Sequence, residues 1–170
     1  AVLRDVPGLV VCIPSHPADA PLLMRECLEL AERQGRVCVY VEPIALYHSR
    51  DLHESGDGLW TATYTAHGSA AGPRTHGDGA DLLMISFGNG VPMSLRVARR
   101  PAAAGVTAQV LDIRWLAPLP VDDMLAAAGE PIATVALTDR IDPAHAPRPS
   151  NDGERLLFRQ LYETLIRIDC

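Results

Sequence analysis

Short apolar runs alternate with amphipathic stretches along this chain, and that alternation sets the elements to expect. Residues 9–13 are apolar and β-rich, and the run stops at Pro14. In the following SHPADAPLLMRECLELAERQG, Leu22, Leu23, Cys27, Leu30 and Ala31 recur at helical spacing, and Gly35 supplies a stop. Residues 37–41 form a second continuous apolar run, ended by Glu42-Pro43. The opening therefore predicts strand, helix, strand, and runs apolar on both faces suit a parallel sheet covered by helices.

Residues 43–80 change character: six glycines (Gly56, Gly58, Gly68, Gly72, Gly77, Gly79) punctuate a polar stretch. A structureless loop of that length is unusual inside a compact domain, so a linker over 46–80 is expected between a segment 1–45 and a unit 81–170. From Asp81 a second pattern begins. Strands are predicted over 82–87, 106–113 and 132–137, with helices over 91–100 and 122–128. In the first of these helices Met93, Val97 and Ala98 are expected to face inward, and Pro101 should end it near Arg100. After a Pro-rich loop at 139–153, residues 154–168 read as a final amphipathic helix, with Leu157, Leu161, Leu165 and Ile168 on one stripe. Strands alternating with helices predict an α/β fold: a three-layer α/β/α sandwich around a mixed, mostly parallel sheet.

Composition narrows the function classes. The chain has 170 residues, is 48% hydrophobic and carries a net charge of -6 with no basic cluster. A nucleic-acid surface needs grouped cations, so that class is disfavoured. All 15 basic residues are Arg, which reflects coding bias and no physical device. No apolar run approaches the length of a membrane span, and the N-terminus has no signal-peptide pattern, so a cytoplasmic protein is expected. The sequence opens in mid-motif without Met, as a fragment of a longer protein would. Cys12, Cys27, Cys38 and Cys170 form no CxxC pair and read as buried thiols, with neither disulfides nor metal ligation expected.

Three stretches together resemble a known family. PGLVVCIPSHPADAPLLMRECLELA is similar to the end of the pyrimidine-binding domain in the β-type decarboxylating component of thiamine-diphosphate-dependent 2-oxoacid dehydrogenases. VCVYVEPIALYH resembles the strand that follows it there. DLLMISFGNGVPMSLRVARR with GVTAQVLDIRWLAPLPVDDMLAAA resembles the first half of the transketolase C-terminal domain. The resemblance spans residues 7–138. It implies oxidative decarboxylation and acyl transfer to a lipoyl carrier in the parent enzyme, with thiamine diphosphate and Mg²⁺ held by domains outside this chain. It implies no catalytic residue and no bound cofactor here. The expected roles are scaffold, homodimer interface, contact with the remaining domains, and docking toward the acyltransferase core. A transketolase or deoxyxylulose-phosphate synthase fragment is the alternative within the class. The sequence departs from the family pattern at 67–80, where apolar material for a short edge strand is lacking, at Pro101, and after Asp139, where no paired Gly occurs.

Individual residues carry competing readings. Gly88 and Gly90 follow a strand and open a helix, and Asp112 ends the next strand, as in an NAD-binding module. Met93 at the third small position and Pro92 near the anion favour a plain tight turn instead. His48, Asp51, His53 and Glu54 could ligate a metal, but their spacing matches no closed site, so solvated loop residues are expected. His16 could face an active site or simply pack. Ser15 is a plausible helix cap with Asp19 nearby. His67, His76 and His145 have no evident partner. Arg114 and Trp115, in DIRWLAPLP, are expected at a subunit or domain interface, where Arg and Trp concentrate.

Overall fold

A computed structural model describes Leu3 and residues 6–65, 68–102, 105–129 and 133–136. The order is β1 Val10–Cys12, α1 Ala20–Gln34, β2 Cys38–Tyr40, a 3₁₀ turn Ile44–Leu46, β3 Arg74–His76, β4 Leu82–Ser86, α2 Gly90–Ala102, β5 Ala108–Asp112, β6 Trp115–Ala117, α3 Val121–Ala127 and β7 Ala133–Ala136. Every strand and helix read from apolar periodicity up to residue 136 is present. The expected helix over 154–168 and the Pro-rich loop before it lie outside the described residues.

The elements build two sheets. The smaller has the order β2-β1-β6; the larger has the order β3-β5-β4-β7. In the larger sheet β4 runs parallel to β5 and β7, and only β3 is antiparallel. Strand β1 is parallel to β2 but antiparallel to β6, so a strand from the opening segment pairs with one that directly follows β5.

Alternation along β4 and β5 gives the larger sheet two apolar faces. Leu83, Ile85, Leu111 and Ile113 pack with Met124 of α3 on one side. Met84 and Val110 pack with Val91 of α2, Leu52 and Trp60 on the other. The result is the expected layering of helix, sheet and helix. A third cluster joins Cys12, Leu22, Leu23, Cys27 and Ala70, with Cys38, Tyr40 and Trp115 against it.

Three readings need correction. Helix α2 does not turn Met93 and Val97 inward: they are 60% and 41% exposed. Val91 and Ser94 are fully buried instead, and the Ser94 hydroxyl donates to the carbonyl of Gly90 at 2.7 Å, which lets a polar residue face the sheet. The same helix runs to Ala102, past the stop expected near Arg100. Finally, the polar stretch contributes an edge strand after all. Arg74–His76 pairs with β5 through main-chain bonds that need no apolar side chains.

The glycine-rich stretch also holds a compact loop organised by two carboxylates. Asp57 accepts main-chain N–H bonds from Leu52, His53, Glu54 and Leu59, and Asp51 accepts from Gly56 and Gly58. These bonds hold the Asp57 carboxyl well below the usual carboxylate range, against the opposing effect of desolvation. The loop closes with Trp60 N–H donating to Arg50 carbonyl, which delivers Trp60 to the core at 3% exposure.

Candidate functional site: a buried junction around Asp19 and Arg114

Strand β5 ends at Asp112 and β6 starts at Trp115, so the chain changes sheet across only two residues, Ile113 and Arg114. Arg114 adopts φ 52, a left-handed conformation that costs an ordinary side chain about 1–3 kcal/mol. Its side chain makes that conformation worthwhile. The guanidinium is 3% exposed and donates to Asp19 Oδ1 at 2.8 Å. It also donates to the carbonyls of Ser69, Ala71 and Gly72 at 2.7–3.3 Å. The strap 69–72 thus wraps the cation, and Trp115 Nε1 fastens the same strap by donating to Ala70 carbonyl at 2.8 Å.

Asp19 is the residue preceding α1, fully buried, with no capping bond from its side chain to the helix. Its second oxygen meets Arg74 of β3 at 3.3 Å. One carboxylate from the opening segment therefore answers two arginines from the later unit. Burying such charges is tolerable only when they are paired; here Asp19 Oδ1 is both paired and hydrogen-bonded to Arg114, while Oδ2 has the Arg74 ion pair and no hydrogen bond.

Beside this pair, His16 packs edge-on against Trp60 at 4.9 Å between ring centroids, with His76 at 5.8 Å. Ala18 N–H donates to His16 Nδ1 at 3.2 Å, so that ring is neutral with its proton on Nε2. Burial, then Arg74, lowers the His16 pKa, with Asp19 acting weakly the other way. His76 is lowered to about 4 by burial and by the neighbouring His16, Arg74 and Arg114. Among the described residues, buried Trp60 Nε1 and His76 Nε2 have no hydrogen-bond partner, so this corner holds polar capacity that folding leaves unspent.

Asp112 is fully buried, and its Oδ1 accepts from Arg114 N–H at 3.2 Å. Burial pushes its carboxyl up to about 7, against the opposing pull of the Ser15 hydroxyl and the Arg114 N–H. Two opposed pH dependences follow. An unfolded carboxyl titrates near 3.9, so between about pH 4 and 7 only the unfolded chain has lost this proton, and stability falls as pH rises. An unfolded His titrates near 6.5, so from about pH 6.5 down to 4 only the unfolded chain gains the His76 proton, and stability falls as pH drops. Asp112→Asn should therefore stabilise the chain at pH 8 by at least about 1 kcal/mol, and much less at pH 4. Urea midpoints at pH 4, 6 and 8 check this; an equal gain at all three would refute the assignment.

The structure brings some singled-out residues together and separates others. Arg114, Asp112, Ser15, His16, Asp19 and His76 all meet at the junction. Gly88 lies close against Ile13: an added Cβ would lie 2.8 Å from Ile13 Cδ1, and φ is 53. Gly90 opens α2. Gly88 thus packs against Ile13, and Asp112 is buried with its Oδ1 accepting from Arg114 N–H. His48, Asp51, His53 and Glu54 do not converge, and no group of three metal-ligating side chains occurs among the described residues. His67 and His145 fall outside them. Sequence reasoning did not find Trp60 or Arg74; an aromatic at the end of a Gly-rich loop was the only local hint of the former. No described helix is long and apolar enough to cross a membrane.

Comparison with known proteins places the later half of the junction. Residues 73–145 match the family model of the transketolase C-terminal domain. Over 128 residues the chain is 31% identical to the pyruvate dehydrogenase E1 component subunit beta of Bacillus subtilis (strain 168), covering 74% of this chain and 35% of that protein. The subunit of the same name from Staphylococcus aureus (strain Mu50 / ATCC 700699) is 30% identical over 128 residues, with the same coverage. The chain thus spans about a third of the length of these curated relatives. Among solved structures, a split-gene transketolase in an inactive β4 tetramer superposes with TM-score 0.55 at 18% identity, over 79% of this chain and 40% of that one. A transketolase of Pichia stipitis in complex with sedoheptulose-7-phosphate gives 0.52 at 12% identity, over 95% and 25%. Both likenesses concern the fold. Residues 73–145 thus carry a transketolase C-terminal domain, and over 128 residues the chain is similar to the β subunits of pyruvate dehydrogenase E1.

Proposed function

We propose that this chain is the structural C-terminal section of a thiamine-diphosphate-dependent 2-oxoacid dehydrogenase component. In this reading the whole protein decarboxylates a 2-oxoacid and passes the acyl group to a lipoyl carrier. The section described here holds the end of the pyrimidine-binding domain against the C-terminal domain. It also presents surfaces for a second subunit and for the acyltransferase core. The observation that carries the reading is the Asp19–Arg114 ion pair at 2.8 Å, which joins the two segments that resemble different domains of the family.

The cofactor's chemistry, when bound, is stabilisation of the carbanion left by decarboxylation. The donor sets described here do not fit a magnesium–diphosphate site. Asp51 and Asp57 spend their oxygens on main-chain N–H groups, and Asp19 and Asp112 face arginine or are buried. No catalytic step is assigned to any residue of this chain.

The test is reductive acylation of a free lipoyl domain by the whole protein, supplied with thiamine diphosphate, Mg²⁺ and a panel of 2-oxoacids. Activity with at least one acid is expected, and none from residues 1–170 alone. Ketol transfer between sugar phosphates without any 2-oxoacid decarboxylation would overturn the reading in favour of a transketolase.

A further inference from the structure

Three thiols share one small core beneath the junction. Cys12 in β1 is fully buried, Cys27 in α1 is 5% exposed, and their sulfurs stand 3.4 Å apart. Cys38, which opens β2, is half-buried and packs against the same cluster, beside Cys27. The βαβ opening thus places one thiol on each of its three elements. Cys27 lies between the other two.

We infer that Cys12, Cys27 and Cys38 form a peroxide-responsive relay that ends in a Cys12–Cys27 disulfide. Cys38 is the thiol that a small oxidant reaches first. Its sulfur attacks hydrogen peroxide, the O–O bond breaks, and Cys38 becomes a sulfenic acid with release of one water. The Cys27 sulfur then displaces that hydroxyl, which leaves as a second water carrying the Cys27 proton, and a Cys27–Cys38 disulfide forms. Cys12 finally attacks the Cys27 sulfur and its proton passes to the departing Cys38 sulfur. The sum is two thiols and one peroxide giving one disulfide and two waters, with Cys38 returned to the thiol.

Two physical features set this order. Cys12 is fully buried and Cys27 is 5% exposed, so peroxide does not reach their sulfurs directly, whereas half-buried Cys38 is open to it. Burial also pushes the Cys12 and Cys27 thiols up, which slows their attack on a neighbouring sulfur already in contact but does not bar it. The closing step needs little movement: the 3.4 Å separation must shrink to the roughly 2.05 Å of a disulfide, within the reach of side-chain rotation. The loop closed by this bond runs from residue 12 to residue 27 and contains Ser15, His16 and Asp19. Oxidation therefore ties down the segment that delivers Asp19 to Arg114. The inference stands whatever reaction the whole protein performs, because it rests on the sulfurs alone.

The experiment uses the full 170-residue chain carrying Cys170→Ser, to silence the fourth thiol. After hydrogen peroxide and a catalase quench, free thiols are alkylated in denaturant and the chain is digested with trypsin under non-reducing conditions. Arg25, Arg33 and Arg36 place the three cysteines on separate tryptic peptides. The expected product links the Cys12 and Cys27 peptides and leaves Cys38 alkylated. Cys38→Ala should slow its appearance by about tenfold or more, with the folded signal checked by circular dichroism. Should that variant not fold, the peptide map of the parent alone decides. Cys38 driven to sulfinic acid with Cys12 and Cys27 both alkylated would overturn the relay. So would a terminal Cys27–Cys38 link, or a Cys38→Ala variant that oxidises as fast as its parent.

Discussion

Replacing Arg114 by Met is expected to cost about 3–5 kcal/mol of folding stability. The substitution keeps a long side chain but strands Asp19, which is fully buried and held by Arg114 at 2.8 Å. It also releases the carbonyls of Ser69, Ala71 and Gly72 from their shared donor. Arg74 at 3.3 Å from Asp19 compensates only in part, because its side chain is 34% exposed and screened by water. Asp19→Asn tested in the same way should be costly too, since it leaves two cations facing a neutral amide. The double variant should lose clearly less than the two single losses together, because removing both charges leaves neither uncompensated. Denaturant midpoints for the four chains measure this directly. A loss below about 1 kcal/mol for Arg114→Met would mean that the ion pair contributes no more than a surface pair, and the junction would lose its central role.

The second large effect belongs to the core of the larger sheet. Leu83→Ala should cost about 2–5 kcal/mol, the range for removing a fully buried Leu from a packed core. Leu83 sits on β4, the strand bonded to both β5 and β7, and shares its face with Ile85, Leu111, Ile113 and Met124. A cavity there loosens the larger sheet without touching Asp19 or Arg114. Its comparison with Arg114→Met therefore tests cooperativity. If the two sheets unfold as one unit, fluorescence of the two tryptophans and far-ultraviolet dichroism should report one shared midpoint in both variants. Separate midpoints in Arg114→Met, with a single one in Leu83→Ala, would show that the junction alone couples the sheets.

Much of this architecture was legible in the residues because it is written in apolar periodicity. Strand β1 and residues 82–85 of β4 are continuous apolar runs, β5 centres on Val110 and Leu111, and α1 shows a helical repeat closed by Gly35 at φ 63. The misses have one physical origin: elements held by main-chain or long-range bonds leave no periodic trace. Strand β3 reads Arg-Thr-His and exists because β5 offers it hydrogen-bond partners. Strand β6 is three residues long and forms by pairing with β1, far away in sequence. The loop around Asp51 and Asp57 looked like a linker because its order comes from carboxylates accepting N–H bonds. At the junction, Arg114, Asp112 and Asp19 each drew notice for separate reasons. Nothing local could say that they meet, since a partnership between positions 19 and 114 has no sequence signal in a single chain. The inward face of α2 was misjudged because apolar positions alone were followed, whereas buried Ser94 settles its hydroxyl inside the helix itself by a bond to the Gly90 carbonyl.

The distance along the chain between Asp19 and Arg114 has a consequence during synthesis. A ribosome adds about 5–20 residues per second. The partner of Asp19 is made 95 positions later, so the wait is roughly 5–20 seconds. For that interval β1, α1 and β2 can pair with one another, yet one edge of β1 stays open and a carboxylate destined for the interior has no cation. The nascent segment from β1 to β2 therefore waits with an open strand edge and an unpaired buried carboxylate, and β1 is completed only once β6 has been made.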